Sequence, residues 1–364
     1  MSTDAAGDGP RTPAACDVTA FLKERGVPPQ EIAAAEAQRR LPLLVIDQLL
    51  FPGLPRYDER TLVDQVGVDP PYARALWRAM GFPAVPEGEV AFYDDDMEAL
   101  RTAAAPDTTG ELLPDLVHQT RVMSAAMARI AEQSTDDMDR LLRDLRARGV
   151  PDDQAAQMLL SVFDTDTFEQ LLWYLFRRQL RAAAWRKLAE PSLAASSTPT
   201  AVGFVDLVRF AAVTENVADD ELERLILRFE EVAYDAIVDG GGRMVKMIGD
   251  AVMYVADDAV RATLVAIDLV DAYARDELLP PARAGLAVGP VLARDGDYFG
   301  PPVNLASRIV DIARPSRVVV SDELHDALVP SGRFWFRRLP PKRLRGMGHP
   351  PLWAVGRARD NHQY

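Results

Sequence analysis

Near residues 190–200 the hydrophobic period of the sequence changes. Before that point, from about Asp17 to Leu188, apolar residues recur every three or four positions, and Pro, Gly and Asp/Thr punctuate the segments, as in amphipathic helices. After it, short β-rich runs (AVGFV, RMVKMI, AVMYVA, RAGLAV, RVVV) alternate with helical ones (DDELERLILRFEEVAYDAIV, DAVRATLVAIDLVDAYA, VNLASRIVDIA). That alternation predicts an α/β domain on one central sheet. A chain of 364 residues also exceeds the size at which one core usually keeps growing. We therefore expect an all-α domain over 15–189 and an α/β domain over 201–364, joined by the Ser-, Ala- and Pro-rich linker 190–200. Residues 1–14 read as a disordered leader.

Within the helical half, Thr135-Asp136-Asp137 before MDRLLRDLRARG reads as a helix start and Gly149-Val150-Pro151 as the matching stop. The stretch 166–188 carries Leu171, Leu172, Trp173, Tyr174, Leu175 and Phe176 in succession, so it is expected to be buried or sandwiched between domains. The segment YDERTLVDQVGVDPPYARALWRAMGF has the helix–Gly–helix rhythm of a DNA-binding helix-turn-helix. Its second helix offers only Arg74 and Arg78 as cations, so it reads as a packing module.

Charge narrows the function. A formal net charge of -14 repels a polyanion, so no nucleic-acid partner is expected. Cys16 is the only cysteine, which excludes an intrachain disulfide. No secretory pattern opens the chain, and no apolar run approaches the roughly 20 residues that cross a bilayer. These features together predict a cytoplasmic protein.

Three runs carry candidate chemistry. GFVDLVRF places Asp206 at the end of an apolar strand, where a lone carboxylate is more often a cap or turn former than a ligand. MVKMIGDAVMYV places Asp250 at the tip of a tight hairpin, which is also ordinary turn chemistry. Carboxylates from neighbouring strand ends can jointly hold hard divalent cations. DGDYFGPPVNLASRIVDIA puts Asn304 and Arg308 four apart on one face of an amphipathic helix.

Together, in this order, the three runs resemble the catalytic domain of class III adenylyl and guanylyl cyclases, over residues 200–357. The resemblance implies a ferredoxin-like α/β catalytic domain in which Asp206 and Asp250 bind two divalent cations, Mg2+ or Mn2+. It assigns purine reading to Lys246, four residues before Asp250, and Asp297, seven before Asn304. Adenine offers N1 as acceptor and N6 as donor, which an ammonium and a carboxylate complement, and guanine reverses the pattern. ATP is thus the expected substrate, converted to 3′,5′-cyclic AMP and pyrophosphate by in-line attack of the ribose 3′-hydroxyl. Asn304 and Arg308 match the family's ribose and α-phosphate residues, and Arg283, in ARAGLAVG, its strand arginine for the terminal phosphates. One complete set per chain implies a homodimer with interfacial sites.

The helical half, with its VPEGEVAFYDDDMEAL run, resembles the regulatory domain of autoinhibited, acid-responsive actinobacterial cyclases, some with a fatty-acid site. A proton or a fatty acid is then the expected regulator. His118, or carboxylates among Asp94, Asp95 and Asp96, are the candidate proton sensors. Two other readings stand beside this one: a nucleotide-binding sensory or transcriptional module with a non-catalytic cyclase-like domain, and a guanylate cyclase.

Overall fold

The computed structural model describes residues 17–105, 111–163, 165–188, 199–215 and 217–358, and the leader and most of the linker lie outside them. It divides into two compact units, Met1–Glu190 and Pro191–Tyr364.

The first unit is helical: α1 (Val18–Glu24), α2 (Pro29–Ala37), α3 (Leu41–Leu50), α4 (Glu59–Val66), α5 (Pro70–Ala79), α6 (Asp94–Ala104), α7 (Leu113–Ala147), α8 (Asp152–Val162) and α9 (Thr165–Leu188). Leu22, Leu41, Val45 and Ala156 centre one apolar core, and Leu62, Val63, Leu76, Phe92 and Leu100 a second. Asp58 caps α4 by accepting the Thr61 N–H at 2.8 Å, and Gly67 ends that helix in the left-handed region at φ 78°. The expected helix–Gly–helix module is therefore present. Its apolar residues Tyr72, Ala73 and Leu76 are buried, and Arg74 is paired with Glu59 at 2.5 Å.

Two expectations for this unit need correction. Residues 135–137 do not start a helix, because α7 runs through them from Leu113. The hydroxyls of Ser134 and Thr135 donate to the carbonyls of Ile130 and Ala131, four residues back, which accommodates cap-type residues mid-helix. The stretch 166–188 is a helix but is not buried within its own unit: Leu171, Trp173, Phe176 and Trp185 are 53, 57, 52 and 65% exposed. Six successive apolar residues advance by about 100° each and so circle the helix, leaving no single face for a neighbour to cover. Trp173 instead stacks on Phe176 of its own helix, with centroids 5.6 Å apart.

The candidate proton sensors have unlike surroundings. Hydrogen bonds from Tyr57 at 2.7 Å and Arg56 at 2.8 Å hold the exposed Asp94 below the ordinary aspartate range. Burial pushes Asp96 up, although it accepts the Tyr93 N–H at 2.7 Å. His118 is half-buried on α7.

The second unit contains β1 (Thr200–Leu207), α10 (Phe210–Thr214), α11 (Asp219–Asp239), β2 (Arg243–Ile248), β3 (Ala251–Ala256), α12 (Ala259–Arg275), β4 (Ala282–Gly289), β5 (Leu292–Arg294), β6 (Asp297–Phe299), α13 (Pro301–Ile312), β7 (Val318–Ser321), α14 (Asp322–Leu328), β8 (Phe334–Arg338) and β9 (Leu352–Arg357). The main sheet has the order β2-β3-β1-β4-β7-β9-β8. It is mixed, with β4 and β7 parallel and the other neighbours antiparallel. β5 and β6 form a separate two-stranded hairpin. Among the described residues of either unit, no helix is long and apolar enough to cross a membrane.

Strand alternation gives the sheet two buried faces. Ala201, Val205 and Leu207 of β1 join Phe229, Ile237, Leu269 and Tyr273 of α11 and α12 on one face. Val202 and Phe204 point the other way, with Met253, Val255 and Ala287, beneath Ala306 and Val310 of α13. On this second face Gly285 pairs with Phe204. A Cβ at Gly285 would lie 2.3 Å from the Val310 nitrogen and 2.7 Å from the Ala306 carbonyl oxygen, so α13 rests directly on the β4 backbone.

Candidate active site

Even-numbered residues of β1 face α13, and the row Val202, Phe204 ends on Asp206. Asp206 lies between Ala251 of β3 and Arg283 of β4, its cross-strand partners on the same face. Asp250 sits in the two-residue β2–β3 turn with Gly249, whose φ of 61° is why glycine belongs there. The Asp250 carbonyl accepts the Leu207 N–H at 3.0 Å, which ties this turn to the end of β1. The two aspartates predicted to converge are therefore neighbours at adjacent strand ends.

A guanidinium already attends Asp206. Arg283 donates from Nε to Asp206 Oδ2 at 2.8 Å and from Nη1 to the Asp311 carbonyl at 2.8 Å, and its Nη2 lies 2.7 Å from the same Oδ2. Burial pushes the Asp206 carboxyl above the ordinary range against this bond, and the Asp250 charge adds to the rise. Two carboxylates placed side by side are an oxygen donor set suited to hard divalent cations.

The second cluster is built from β2 and the β5–β6 hairpin. Lys246 Nζ donates to Asp297 Oδ2, and the Tyr298 N–H donates to Asp297 Oδ1 at 2.8 Å. Burial would push Asp297 up, but these hydrogen bonds outweigh it and hold the carboxyl below its usual value. The pair is half-buried, open to a ligand that could take over the ammonium and one carboxylate oxygen. Sequence reasoning missed the neighbouring side chains. Arg243 donates to Asp257 at 2.8 and 3.2 Å and to the Tyr298 hydroxyl at 3.0 Å.

Asn304 and Arg308 occupy one face of α13, as their spacing predicts, and both are exposed. Pro301 at the start of the helix and the buried Ala306, Ile309 and Val310 hold the opposite face on the sheet. The structure thus brings together Asp206, Asp250 and Arg283 as one group, and Lys246 with Asp297 as another.

Residues 194–355 match the family model for the adenylate and guanylate cyclase catalytic domain. The chain is 32% identical to an adenylate cyclase of Glutamicibacter nicotianae over 361 residues, covering 93% of this chain and 88% of the relative. It is 34% identical to an adenylate cyclase of Streptomyces coelicolor, covering 79% and 75%. A pH-sensitive adenylate cyclase of Mycobacterium tuberculosis is 30% identical, with 93% and 86% covered.

Proposed function

The chain belongs to the adenylate and guanylate cyclase family and acts as an adenylate cyclase, and from that premise we propose how its own residues divide the conversion of ATP to 3′,5′-cyclic AMP and pyrophosphate. The observation that carries the reading is the convergence of Asp206 and Asp250 at neighbouring strand ends, on the sheet of a unit that also holds the Lys246–Asp297 pair.

Asp206 and Asp250 would hold two divalent cations, Mg2+ or Mn2+. When bound, these supply the Lewis acidity that lowers the pKa of the ribose 3′-hydroxyl and steadies the triphosphate. Two carboxylates leave most coordination positions to phosphate oxygens and water, the usual habit of Mg2+ at nucleotide sites. Arg283, whose guanidinium now pairs with Asp206, would yield that carboxylate to the cations and turn to the terminal phosphates. Lys246 donates to adenine N1 and Asp297 accepts from N6, so the ion pair opens onto the base edge that it complements. Asn304 orients the ribose, and Arg308 offsets the negative charge that gathers on the α-phosphate as the 3′-oxygen attacks and pyrophosphate departs.

In one chain Asn304 and Arg308 face outward and are exposed, and Ser307 Oγ reaches only the backbone carbonyl of Asn304, leaving its side-chain amide turned to solvent. That supports a homodimer in which the carboxylates of one chain work with the purine pair, Asn304 and Arg308 of the other. The helical unit is proposed as the regulator, responding to protons or to a fatty acid. Similarity to the pH-sensitive relative supports this, because it spans 93% of the chain and so cannot be confined to the catalytic unit.

Complementation tests the division of labour. Asp206→Ala and Arg308→Ala homodimers should each lose cyclic AMP formation. An equimolar mixture, after subunit exchange, should recover up to about a quarter of wild-type activity, since half the dimers are mixed and each has one intact site. Full activity in either variant alone, or no recovery from demonstrably mixed dimers, would overturn the reading.

A further inference from the structure

The hairpin that carries Asp297 is not part of the main sheet, so something other than ladder hydrogen bonds must set its position. Strand β2 supplies two fastenings, Lys246 to Asp297 and Arg243 to Tyr298. Residues three apart on a regular strand face opposite sides, and Arg243 and Lys246 are three apart. They nevertheless reach the same hairpin. The pairing of β2 with β3 explains why: Arg243 lies opposite Val255, Met244 opposite Tyr254, and Lys246 opposite Met253, leaving Val245 as the extra residue of a β-bulge. Val255 and Met253 both face α13, so the bulge turns Arg243 and Lys246 to that one face, where Tyr298 also packs.

Arg243 is itself held in place. Asp257, just past the end of β3, receives two of its N–H groups, and the guanidinium offers Nη2 to the Tyr298 hydroxyl at 3.0 Å. Tyr298 in turn holds Asp297 through its own N–H. A continuous chain of hydrogen bonds thus runs from Asp257 through Arg243 and Tyr298 to the carboxylate that faces Lys246. Arg243 is half-buried, so water competes only partly for these bonds.

We propose that Asp257, Arg243 and Tyr298 are positioning residues for nucleotide selection: they hold the hairpin at the distance from β2 at which Asp297 and Lys246 together read adenine. None of the three is assigned contact with the substrate, and the proposal rests on the purine-reading roles of Lys246 and Asp297 given above. A loosened hairpin leaves Asp206, Asp250 and the α13 residues in place, so binding and discrimination should suffer while the chemical step is spared.

The test compares ATP and GTP turnover in Arg243→Met, Tyr298→Phe, the double variant and Lys246→Gln, each checked by thermal melting. Both single variants retain their apolar packing and should stay folded. Each should lower the ATP-over-GTP ratio of kcat/KM by about tenfold, the worth of a hydrogen bond to a charged group. The change should lie mainly in KM for ATP, with kcat kept within about threefold. The double variant should be no worse than either single, because both break one link. Unchanged ratios in both singles beside a collapsed ratio in Lys246→Gln would refute the clamp and leave the purine reading intact. Additive losses in the double variant would also refute it. An unchanged ratio in Lys246→Gln would remove the purine reading and the clamp with it.

Discussion

Replacing Gly285 with Ala should disable the chemistry without touching a residue that meets the substrate. The backbone at Gly285 lies outside the left-handed region, so alanine meets no conformational penalty and the whole effect is steric. The new methyl would stand 2.3 Å from the Val310 nitrogen, 2.7 Å from the Ala306 carbonyl oxygen and 2.9 Å from the Ile309 carbonyl carbon. All three are backbone atoms of α13 and cannot rotate away. Ordinary contact to carbon begins near 3.5 Å, so α13 must retreat by about 1 Å. Overpacking of this kind costs about 1–3 kcal/mol of stability. The same retreat displaces Asn304 and Arg308, and about 1 Å of misplacement can cost about 100-fold in rate, or roughly 2.7 kcal/mol in the barrier. Because Lys246, Asp206 and Asp250 lie on other elements, the loss should fall on kcat rather than on KM for ATP. Steady-state cyclic AMP formation beside a denaturant melt measures both effects. A folded Gly285→Ala protein with wild-type kcat would refute the claim that this contact sets the height of α13 over the site.

Two further outcomes follow from ion pairs in the catalytic unit. With Arg283→Gln the guanidinium no longer competes for Asp206, so Mn2+ binding without nucleotide, read by titration calorimetry, should tighten about tenfold while KM for ATP rises; unchanged or weaker Mn2+ binding would contradict the exchange. Asp276 accepts Arg228 Nε at 2.8 Å and the N–H groups of Leu278 and Leu279 at 2.9 and 3.2 Å; burial raises its pKa, but these bonds outweigh it and hold the carboxyl below the usual range. A lowered folded pKa gives stability that is fully present above the ordinary value near 4 and is lost as pH falls through the lower one. Asp276→Asn should therefore cost about 1–3 kcal/mol at neutral pH, a gap that closes in urea melts below about pH 4; a gap independent of pH would show that the charge is not what matters.

The parts legible in the sequence are those that local pattern determines. Short alternating runs such as AVMYVA become strands because every second side chain must find a core, and the spacing of Asn304 and Arg308 fixes a shared helix face. Asp250 in its Gly-Asp turn is equally local. The ion pair between Asp206 and Arg283 depends on the register of β1 against β4, which no local pattern contains. Arg243 was invisible for a sharper reason: three positions from Lys246, it belongs on the opposite face of any regular strand, and only the bulge at Val245 reverses that. In the helical unit, Thr135-Asp136-Asp137 reads as a boundary because such side chains compete for backbone groups. Inside α7 the Thr135 hydroxyl, like that of Ser134 before it, is satisfied by a carbonyl one turn back.

The separation of the β5–β6 hairpin from the main sheet has an evolutionary consequence. The aspartates proposed for the metals lie at the end of a strand and in a turn of the central sheet, inside the framework that folds the unit. The groups proposed to choose the base stand half-exposed, one of them on an appendage outside that framework. Exchanges there carry little folding cost. On the proposed assignment, exchanging the base-selecting groups therefore asks less of the fold than exchanging the metal aspartates.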